Sequence, residues 1–263
     1  MTVLTLLAKA YGANQLQKID EALKRTFEGI AVEAKILGTI ADGWVQIEVA
    51  GEDEKIATNY LIKEIGVCPR SFGKMKKFST QKGYISNFVD GKELLVDVGV
   101  FEPTAIHVAI PLQRLRTQLV GGRQVDLGKM CELFGFCKGL PIHVKIIQLN
   151  EEGNYIEAEL ASKQVSNYAL WRESLLDRLF VLGVSFNEVK TALAHAKLYR
   201  DVINVESLGL LEHVLTCKLG TDAAGLIPSL GRNLKQASFT VFDAKKNYAF
   251  FKNLEMPSTA TAN

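Results

Sequence analysis

The most constraining feature of this sequence is a series of short strand-type segments between residues 74 and 160. Five segments rich in β-branched and aromatic residues are separated by turn signals, and the helix-type segment DLGKMCELFGF follows the third of them. The predicted strands are KMKKFSTQKGYISNFV, which bends at Gly83, then KELLVDVGV, TAIHVAIPL, GLPIHVKIIQL and NYIEAEL. Three strands, a helix and a two-strand hairpin follow the order of an OB-type β-barrel, which closes by pairing strands distant in the sequence.

The first 68 residues predict a small α/β domain. A strand over 2–11 is followed by a helix that Asn14 is expected to cap, and then by strands over 31–40 and 44–50. The segment GEDEKIATNYLIKEIG begins a second helix, with acidic residues in its first turn. The order β-α-β-β-α describes a small sheet covered by two helices, in the ferredoxin-like or KH-like manner.

Residues 163–250 predict a second α/β domain. The segment NYALWRESLLDRLFVLG carries apolar residues at helical spacing, which predicts one long helix that includes Trp171 and Leu182. Ser185 and Glu188 fit a capping box for the next helix. The segments LLEHVLTCKLG and SFTVFDA predict strands.

Between those two strands, GTDAAGLIPSLGRNL predicts a turn and a further helix. Because proline is tolerated in the first helical turn, we expect this helix to begin near Ile227, with Pro228 beside its start. The last residues, MPSTATAN, are small and polar, and we expect residues 251–263 to form a disordered tail.

These patterns together predict an α+β multidomain protein. A length of 263 residues suits two or three small domains, and a composition of 48% apolar and 23% charged residues allows each to bury a core. The predicted units are the small α/β domain over 1–68, the OB-type barrel over 69–162, the second α/β domain over 163–250 and the tail over 251–263.

The cysteine and histidine positions lack the commonest metal-site spacings. No two of the four cysteines form a C-x-x-C pair, and no two of the four histidines lie two or four residues apart. We therefore expect reduced thiols, no metal and no cofactor. The N-terminus has no basic residue before its short apolar run, and no apolar run approaches ~20 residues, so we expect a soluble, cytoplasmic protein without a membrane partner.

The segment Val67–Val89 concentrates positive charge and aromatic rings, without one acidic residue, in a chain of formal net charge +2. If it is one regular strand, five of its side chains share a face, namely Lys74, Lys76, Phe78, Lys82 and Tyr84. Two interpretations are open: a phosphate-binding track with rings for base stacking, or lysines that keep an exposed edge strand from pairing. Charge and rings on one face favour the first.

This hypothesis extends to the basic and aromatic residues of the segment and to two arginines after the third barrel strand. The candidate RNA-binding residues are Arg70, Lys74, Lys76, Lys77, Phe78, Lys82, Tyr84, Phe88, Arg114 and Arg116. A weaker candidate, for anion binding, is the glycine-rich turn before a helix, with Gly220, Thr221, Arg232 and Lys235. This turn lacks the Walker and dinucleotide-binding spacings, and a tight connection in which Asp222 bonds backbone donors is the favoured interpretation.

Several motifs of the middle region are similar to the ribosomal S1-type RNA-binding barrel. They are G-Y-I near the end of the first strand, VDVGV, IPLQRL, GLPIHVKII and IEAEL. The resemblance implies an RNA-binding fold over about a third of the chain. The chain departs from that family on strands two and three, where ELLV and VAI replace the usual exposed aromatics. The resemblance therefore implies that RNA contacts fall to Phe78, Tyr84, Phe88 and the lysines of the first strand.

Other segments, spread along the chain, resemble the archaeal family called domain of unknown function 2110. They are GEDEKIATNYLIKEIG, LLVDVGV and RDVINVESLGLLEHVLTCKLGTDAAGLIPSLGRNL, together with the placement of the tryptophan helix. This resemblance spans nearly the full length and implies an archaeal source, but no activity. The order of the units is also loosely similar, at fold level alone, to the alpha subunit of archaeal translation initiation factor two.

We therefore expect a non-enzymatic RNA-binding protein that acts in translation or RNA metabolism, with RNA, including ribosomal RNA, as its partner. The alternative is a protein–protein adaptor of the translation or transcription machinery, which the missing strand aromatics favour. An enzyme acting on a phosphate-containing substrate at GTDAAG ranks third, because the sequence has neither a G-x-S-x-G elbow nor a recognisable cysteine–histidine signature.

Overall fold

Three β-sheets organise residues 1–255, the part of the chain that the computed structural model describes; side chains are described to residue 252. The strands are β1 (Thr2–Lys9), β2 (Val32–Ile40), β3 (Trp44–Gly51), β4 (Arg70–Ser71), β5 (Thr80–Val89), β6 (Glu93–Glu102), β7 (Ile106–Pro111), β8 (Pro141–Asn150), β9 (Tyr155–Leu160), β10 (Arg178–Leu182), β11 (Val202–Ser207), β12 (Glu212–Cys217) and β13 (Ser238–Phe242). The helices are α1 (Ala13–Thr26), α2 (Glu54–Tyr60), α3 (Leu112–Val120), α4 (Leu127–Phe134), α5 (Ser162–Ser174), α6 (Phe186–His195), α7 (Ala223–Asn233) and α8 (Ala244–Glu255). Within residues 1–255, no helix has the length and apolar character needed to cross a membrane.

The N-terminal sheet has the order β1-β3-β2, and both strand pairs are antiparallel. Helices α1 and α2 pack against it through a core that includes Leu6, Ile19 and Ile47. The predicted order of elements is confirmed. The prediction that Asn14 caps α1 is wrong, because Gly12 is the N-cap and the Asn14 amide donates instead to Gln236 Oε1.

Strands β5 to β9 close into a five-stranded barrel, with neighbours in the order β5-β6-β7-β9-β8 and β8 paired back to β5. The pairs that close it are distant in sequence: β7 runs parallel to β9 with Val108 opposite Ile156, and β5 runs antiparallel to β8. The interior is filled by apolar side chains such as Leu94, Val96 and Ile142. The predicted OB-type strand order is confirmed.

The first barrel strand is shorter than predicted. It begins at Thr80, because residues Phe72–Lys74 form a single 3-10 turn and Met75 then buries its side chain in the barrel core. A turn follows, in which Ser79 N donates to Lys76 O at 3.1 Å. The lysines before Thr80 therefore lie on a folded connection, and the regular face predicted to continue through them does not form.

The C-terminal sheet has the order β11-β12-β10-β13. One face packs against α6 and α7, while Phe180, Val214 and Phe242 on the other join the barrel core. The long helix predicted to reach Leu182 is wrong, because α5 ends at Ser174 and β10 follows it. All five residues of β10 are buried, and a strand buried on both faces has no apolar alternation to distinguish it from a helix.

Two further predictions in this region are corrected. Helix α7 begins at Ala223, not near Ile227, so Pro228 lies well inside it. The capping box of α6 is confirmed, since Ser185 accepts from Glu188 N and the Glu188 carboxylate accepts from Ser185 N. Helix α8 continues to Glu255, so residues 251–255 are not the predicted disordered tail, and residues 256–263 lie outside the described residues.

Candidate nucleic-acid interface

Phe78 presents its ring to solvent at the turn that precedes β5. Its side chain is 62% exposed, and its N–H donates to Ile146 O at 2.8 Å, which ties the turn to β8. Its backbone φ is +66°, a left-handed conformation that costs a non-glycine residue about 1–2 kcal/mol. The same positive φ occurs at six other non-glycine residues of the described chain, but of the seven only Phe78 carries an aromatic ring. That ring lies in solvent.

Two lysine ammonium groups lie near this ring. Lys77 Nζ lies 5.1 Å from the ring centroid and Lys145 Nζ lies 5.9 Å from it. Both distances permit cation–π attraction, worth about 0.5–1 kcal/mol at an exposed site. We call the exposed ring and its basic neighbours the Phe78 surface, which comprises Lys74, Lys76, Lys77, Phe78 and Lys145.

Lys145 was missed by sequence reasoning because it lies far along the chain from the basic segment. It stands on β8, opposite Thr80 of β5. The predicted OB-type closure pairs the first barrel strand with the fourth, and this pairing is the sequence signal that could have placed Lys145 beside Phe78. Its Nζ also lies 3.7 Å from a carboxylate oxygen of Glu159, so part of its charge is balanced within the barrel.

Tyr84 is buried where the three sheets meet, and the prediction that it shares an exposed face with Phe78 is wrong. Its side chain is 1% exposed, and its ring packs edge to face on Trp44 with centroids 5.6 Å apart. Its hydroxyl oxygen lies 3.2 Å from Leu7 O and 3.3 Å from Glu212 Oε2. Tyr84 therefore joins the barrel to the N-terminal and C-terminal sheets.

Lys82 is half-buried near Glu212 of the C-terminal sheet. Burial lowers the pKa of Lys82, and the Glu212 carboxylate opposes that shift. Burial raises the pKa of Glu212 to about 7, with the charge of Lys82 acting in the opposite direction. Both pKa shifts have the same main cause, which is loss of water around the pair. Lys82 therefore does not belong to an exposed phosphate track.

The predicted arginines and Phe88 are engaged within the protein. Arg70 pairs with Glu102 at 2.6 Å, and Arg114 pairs with Glu157 at 2.6 Å. Arg116 donates from Nε to Val125 O at 2.7 Å, and Phe88 packs in part against the barrel core. By contrast, the ion pairs within residues 1–252 include none formed by the lysines before Phe78, which are Lys74, Lys76 and Lys77.

The predicted anion site at Gly220, Thr221, Arg232 and Lys235 lies at a helix N-terminus where carboxylates already accept from two backbone N–H groups. Asp222 accepts from Ala224 N at 2.9 Å, and the buried Asp177 accepts from Ala223 N at 3.3 Å. Thr221 N donates to Lys218 O, and Arg232 Nε donates to Pro228 O within α7. Two carboxylates at this helix start disfavour an external anion, which supports the tight-connection interpretation.

A second polar group lies between the N-terminal sheet and the barrel, and the sequence did not predict it. Ligand-type atoms of Asp42, Asp97 and His107 all lie within 4.8 Å of one another. Asp97 Oδ1 accepts a hydrogen bond from Gly99 N at 2.9 Å. The three residues come from the β2–β3 turn, β6 and β7, so no local spacing in the sequence indicates the cluster.

Three solved structures show remote similarity. The uncharacterized protein MJ1198 from Methanocaldococcus jannaschii is 10% identical, with a TM-score of 0.24, and covers 34% of this chain and 95% of its own. The a/eIF2alpha-aDim2p-rRNA complex from Pyrococcus horikoshii is 8% identical, with a TM-score of 0.26 and coverages of 49% and 70%. The intact alpha subunit of aIF2 from Pyrococcus abyssi is 8% identical, with a TM-score of 0.26 and coverages of 64% and 97%. At these TM-scores none of the three identifies a function.

Sequence similarity identifies the family of this chain. No curated protein matches the chain significantly. The DUF2110 N-terminal domain matches residues 3–71, and the DUF2110 C-terminal domain matches residues 176–242. The two matches flank the barrel and together span just over half of the 263 residues. The chain therefore belongs to the DUF2110 family.

Proposed function

We propose that this protein binds single-stranded RNA through the Phe78 surface and acts in translation or RNA metabolism. The observation that carries the proposal is the exposed, strained Phe78 ring with Lys77 and Lys145 beside it. An exposed ring offers a stacking platform for a base of any sequence, and neighbouring lysines attract the phosphates on either side of that base.

The charge distribution supports the same proposal. Lys74, Lys76 and Lys77 are exposed, and the segment that carries them has no acidic residue. The formal net charge of the whole chain is only +2, so attraction of a polyanion has to come from a local concentration of this kind. Because Tyr84 is buried and Lys82 is half-buried beside Glu212, the proposed contact is smaller than the sequence predicted, with one stacking ring.

The test is fluorescence anisotropy with a labelled single-stranded RNA twelve nucleotides long, at low and at physiological salt. Phe78→Ala is expected to weaken binding by at least about fivefold, because loss of one base stack costs ~1–3 kcal/mol. Tyr248→Ala, which removes another exposed ring, is the matched control and is expected to bind as the wild type does. Equal affinity of the Phe78→Ala and wild-type proteins, or no binding by the wild type, would overturn the proposal.

The lysines are tested by a charge-matched pair of triple variants. Lys74, Lys76 and Lys77 are changed to Gln in one protein, and the exposed Lys55, Lys63 and Lys197 are changed to Gln in the other. Both variants lower the formal net charge by the same amount. Only the first is expected to lose affinity, since a general effect of net charge would weaken both equally.

A protein–protein adaptor is the second candidate, and one observation favours it. Ile56 and Tyr60 lie one helical turn apart on α2 and are 60% and 43% exposed. Two such side chains on one helix face suit contact with another protein. Co-purification of partners that survives nuclease treatment and is abolished by Ile56→Ser, with the Phe78 surface unchanged, would favour the adaptor over RNA binding.

A further inference from the structure

A cleft of about 670 Å³ separates the N-terminal sheet from the barrel. Its lining includes Lys9 and Asp42 from the first and Ser86 and His107 from the second. Asp97 is buried directly behind these groups. The Phe78 surface does not contribute to this lining, so the cleft is independent of the proposed RNA contact.

The hydrogen bonds of Ser86 favour one tautomer of His107. The Ser86 hydroxyl donates to Leu95 O at 3.2 Å, and it has only one hydrogen to donate. When that bond is made, the 3.0 Å contact between Ser86 Oγ and His107 Nδ1 is donated by Nδ1–H. In the neutral imidazole, Nε2 is then left as an acceptor with its lone pair directed away from Ser86.

That lone pair meets two carboxylates. His107 Nε2 lies 3.2 Å from Asp42 Oδ2 and 4.0 Å from Asp97 Oδ2. With Nδ1 as the donor to Ser86, three ligand-type atoms converge here, namely one imidazole nitrogen and two carboxylate oxygens. A metal ion among them would be held by all three.

Lys9 balances only part of this charge. Its ammonium group, nearly fully buried, donates to Asp97 Oδ2 at 2.5 Å and to Asp42 O at 3.0 Å, and it lies 4.6 Å from the Trp44 ring centroid. The Asp42 carboxylate and the Nε2 lone pair receive no bond from it. One negative charge and one nitrogen ligand therefore remain, facing the open side of the cleft.

We propose that Asp42, Asp97 and His107 bind a divalent first-row metal ion in this cleft. Carboxylate oxygens and an imidazole nitrogen are ligands such ions accept, and metal–ligand bonds of about 2.0–2.2 Å place neighbouring ligand atoms roughly 3–3.5 Å apart. The 3.2 Å separation already fits, and the 4.0 Å separation needs a closure of about half an ångström. The Ser86 bond to Nδ1 orients the imidazole as outer-shell partners of metal ligands do.

The chemistry around the proposed ion restricts its role. Asp42 belongs to the N-terminal sheet and the other two ligands to the barrel, so the ion would bridge the two units. The adjacent Lys9 ammonium and the metal together leave a net positive charge beside an open cleft. The site therefore suits an ion whose free coordination positions face an anionic ligand or water.

Manganese is the probe of choice, because its preference for oxygen ligands avoids the four cysteines, which are free thiols. The full chain is treated with EDTA, dialysed and titrated with MnCl₂, and the free ion is followed by its electron paramagnetic resonance signal. One Mn²⁺ per chain is expected. Asp42→Asn and His107→Gln are each expected to weaken binding at least tenfold.

The controls separate a metal site from general acidity or a lost fold. Asp42 is more than half exposed, so its amide variant is expected to fold, and circular dichroism verifies this. His195→Gln changes an exposed histidine on α6 and is expected to bind Mn²⁺ as the wild type does. No stoichiometric binding by the wild type, or equal binding by His107→Gln, would overturn the proposal. RNA affinity measured on the same proteins reports on the Phe78 surface separately.

Discussion

Phe78 and Tyr84 lie six residues apart, both in a basic segment and both with a lysine close before them, yet they have opposite roles in the structure. Phe78 lies in solvent on a strained turn, while Tyr84 is enclosed by Trp44, Leu7 and Glu212. The difference arises from the start of β5 at Thr80. Before that point the chain is held on one side only, by β8, whereas Tyr84 lies beneath both flanking sheets.

Aromatic and basic residues in one short segment therefore need not form one site. The same composition supplies a surface at Phe78 and an interdomain joint at Tyr84. Substitutions at the two rings are therefore expected to differ in kind, with binding changed at one and folding at the other.

The largest effect is expected from Tyr84→Ala. Removing a fully buried aromatic side chain from a packed joint typically costs about 3–5 kcal/mol of unfolding free energy. Tyr84→Phe keeps the ring but loses the hydroxyl group that contacts Leu7 O and Glu212. A loss of about 1–2 kcal/mol of unfolding free energy is expected. Urea unfolding followed by tryptophan fluorescence measures both, because Trp44 contacts this ring. A loss below 1 kcal/mol for Tyr84→Ala would contradict the assigned joint.

A change in pH is expected to have a somewhat smaller effect on the unfolding free energy, through a carboxyl group at the same joint. Burial raises the pKa of Glu212 from 4.5 to about 7, so the folded protein holds this proton more tightly than the unfolded chain does. Stability from this group is complete below pH 4.5 and is lost as pH rises toward 7, by up to about 3 kcal/mol. Glu212→Gln mimics the neutral carboxyl and is expected to lack this loss. Parallel stability profiles of the two proteins across this pH range would show that another group is responsible.

The Phe78 surface is expected to respond to salt rather than to denaturant. Changing Lys74, Lys76 and Lys77 to Gln removes three potential phosphate contacts. The slope of log affinity against log salt is then expected to become shallower by about 2, since each contact on a single strand contributes about 0.7. Titrations at four salt concentrations measure the slope. If the slope shifts equally in the control variant of Lys55, Lys63 and Lys197, these lysines do not mark the interface.

The smallest effect on stability is expected from Phe78→Gly. Glycine adopts the left-handed conformation of this turn without strain, which offsets its greater freedom in the unfolded chain. The unfolding free energy is expected to remain within about 1 kcal/mol of the wild type, while RNA binding falls as it does for Phe78→Ala. A loss of several kcal/mol would mean that the Phe78 ring supports the fold, in the manner of Tyr84.

Several features follow from the sequence alone because they depend on local spacing. The β-α-β-β-α order of the N-terminal unit, the strand order of the barrel and the Ser185–Glu188 capping box are of this kind. Errors arose where tertiary packing overrode the local pattern. Because β10 is buried on both faces, its sequence resembles that of a helix. Because Met75 is buried in the barrel core, the predicted first barrel strand does not extend through Lys74, Lys76 and Lys77.

The sequence alone specifies the order of elements in the N-terminal unit and the order of strands in the barrel. It also shows that basic and aromatic residues gather between Val67 and Val89. Packing of the three sheets sets which of those residues meet solvent and brings Asp42, Asp97 and His107 together. One physical limit explains both. The two-residue repeat of a strand shows which side chains share one face. Only the packing of whole sheets determines what covers that face and which distant side chains meet across it.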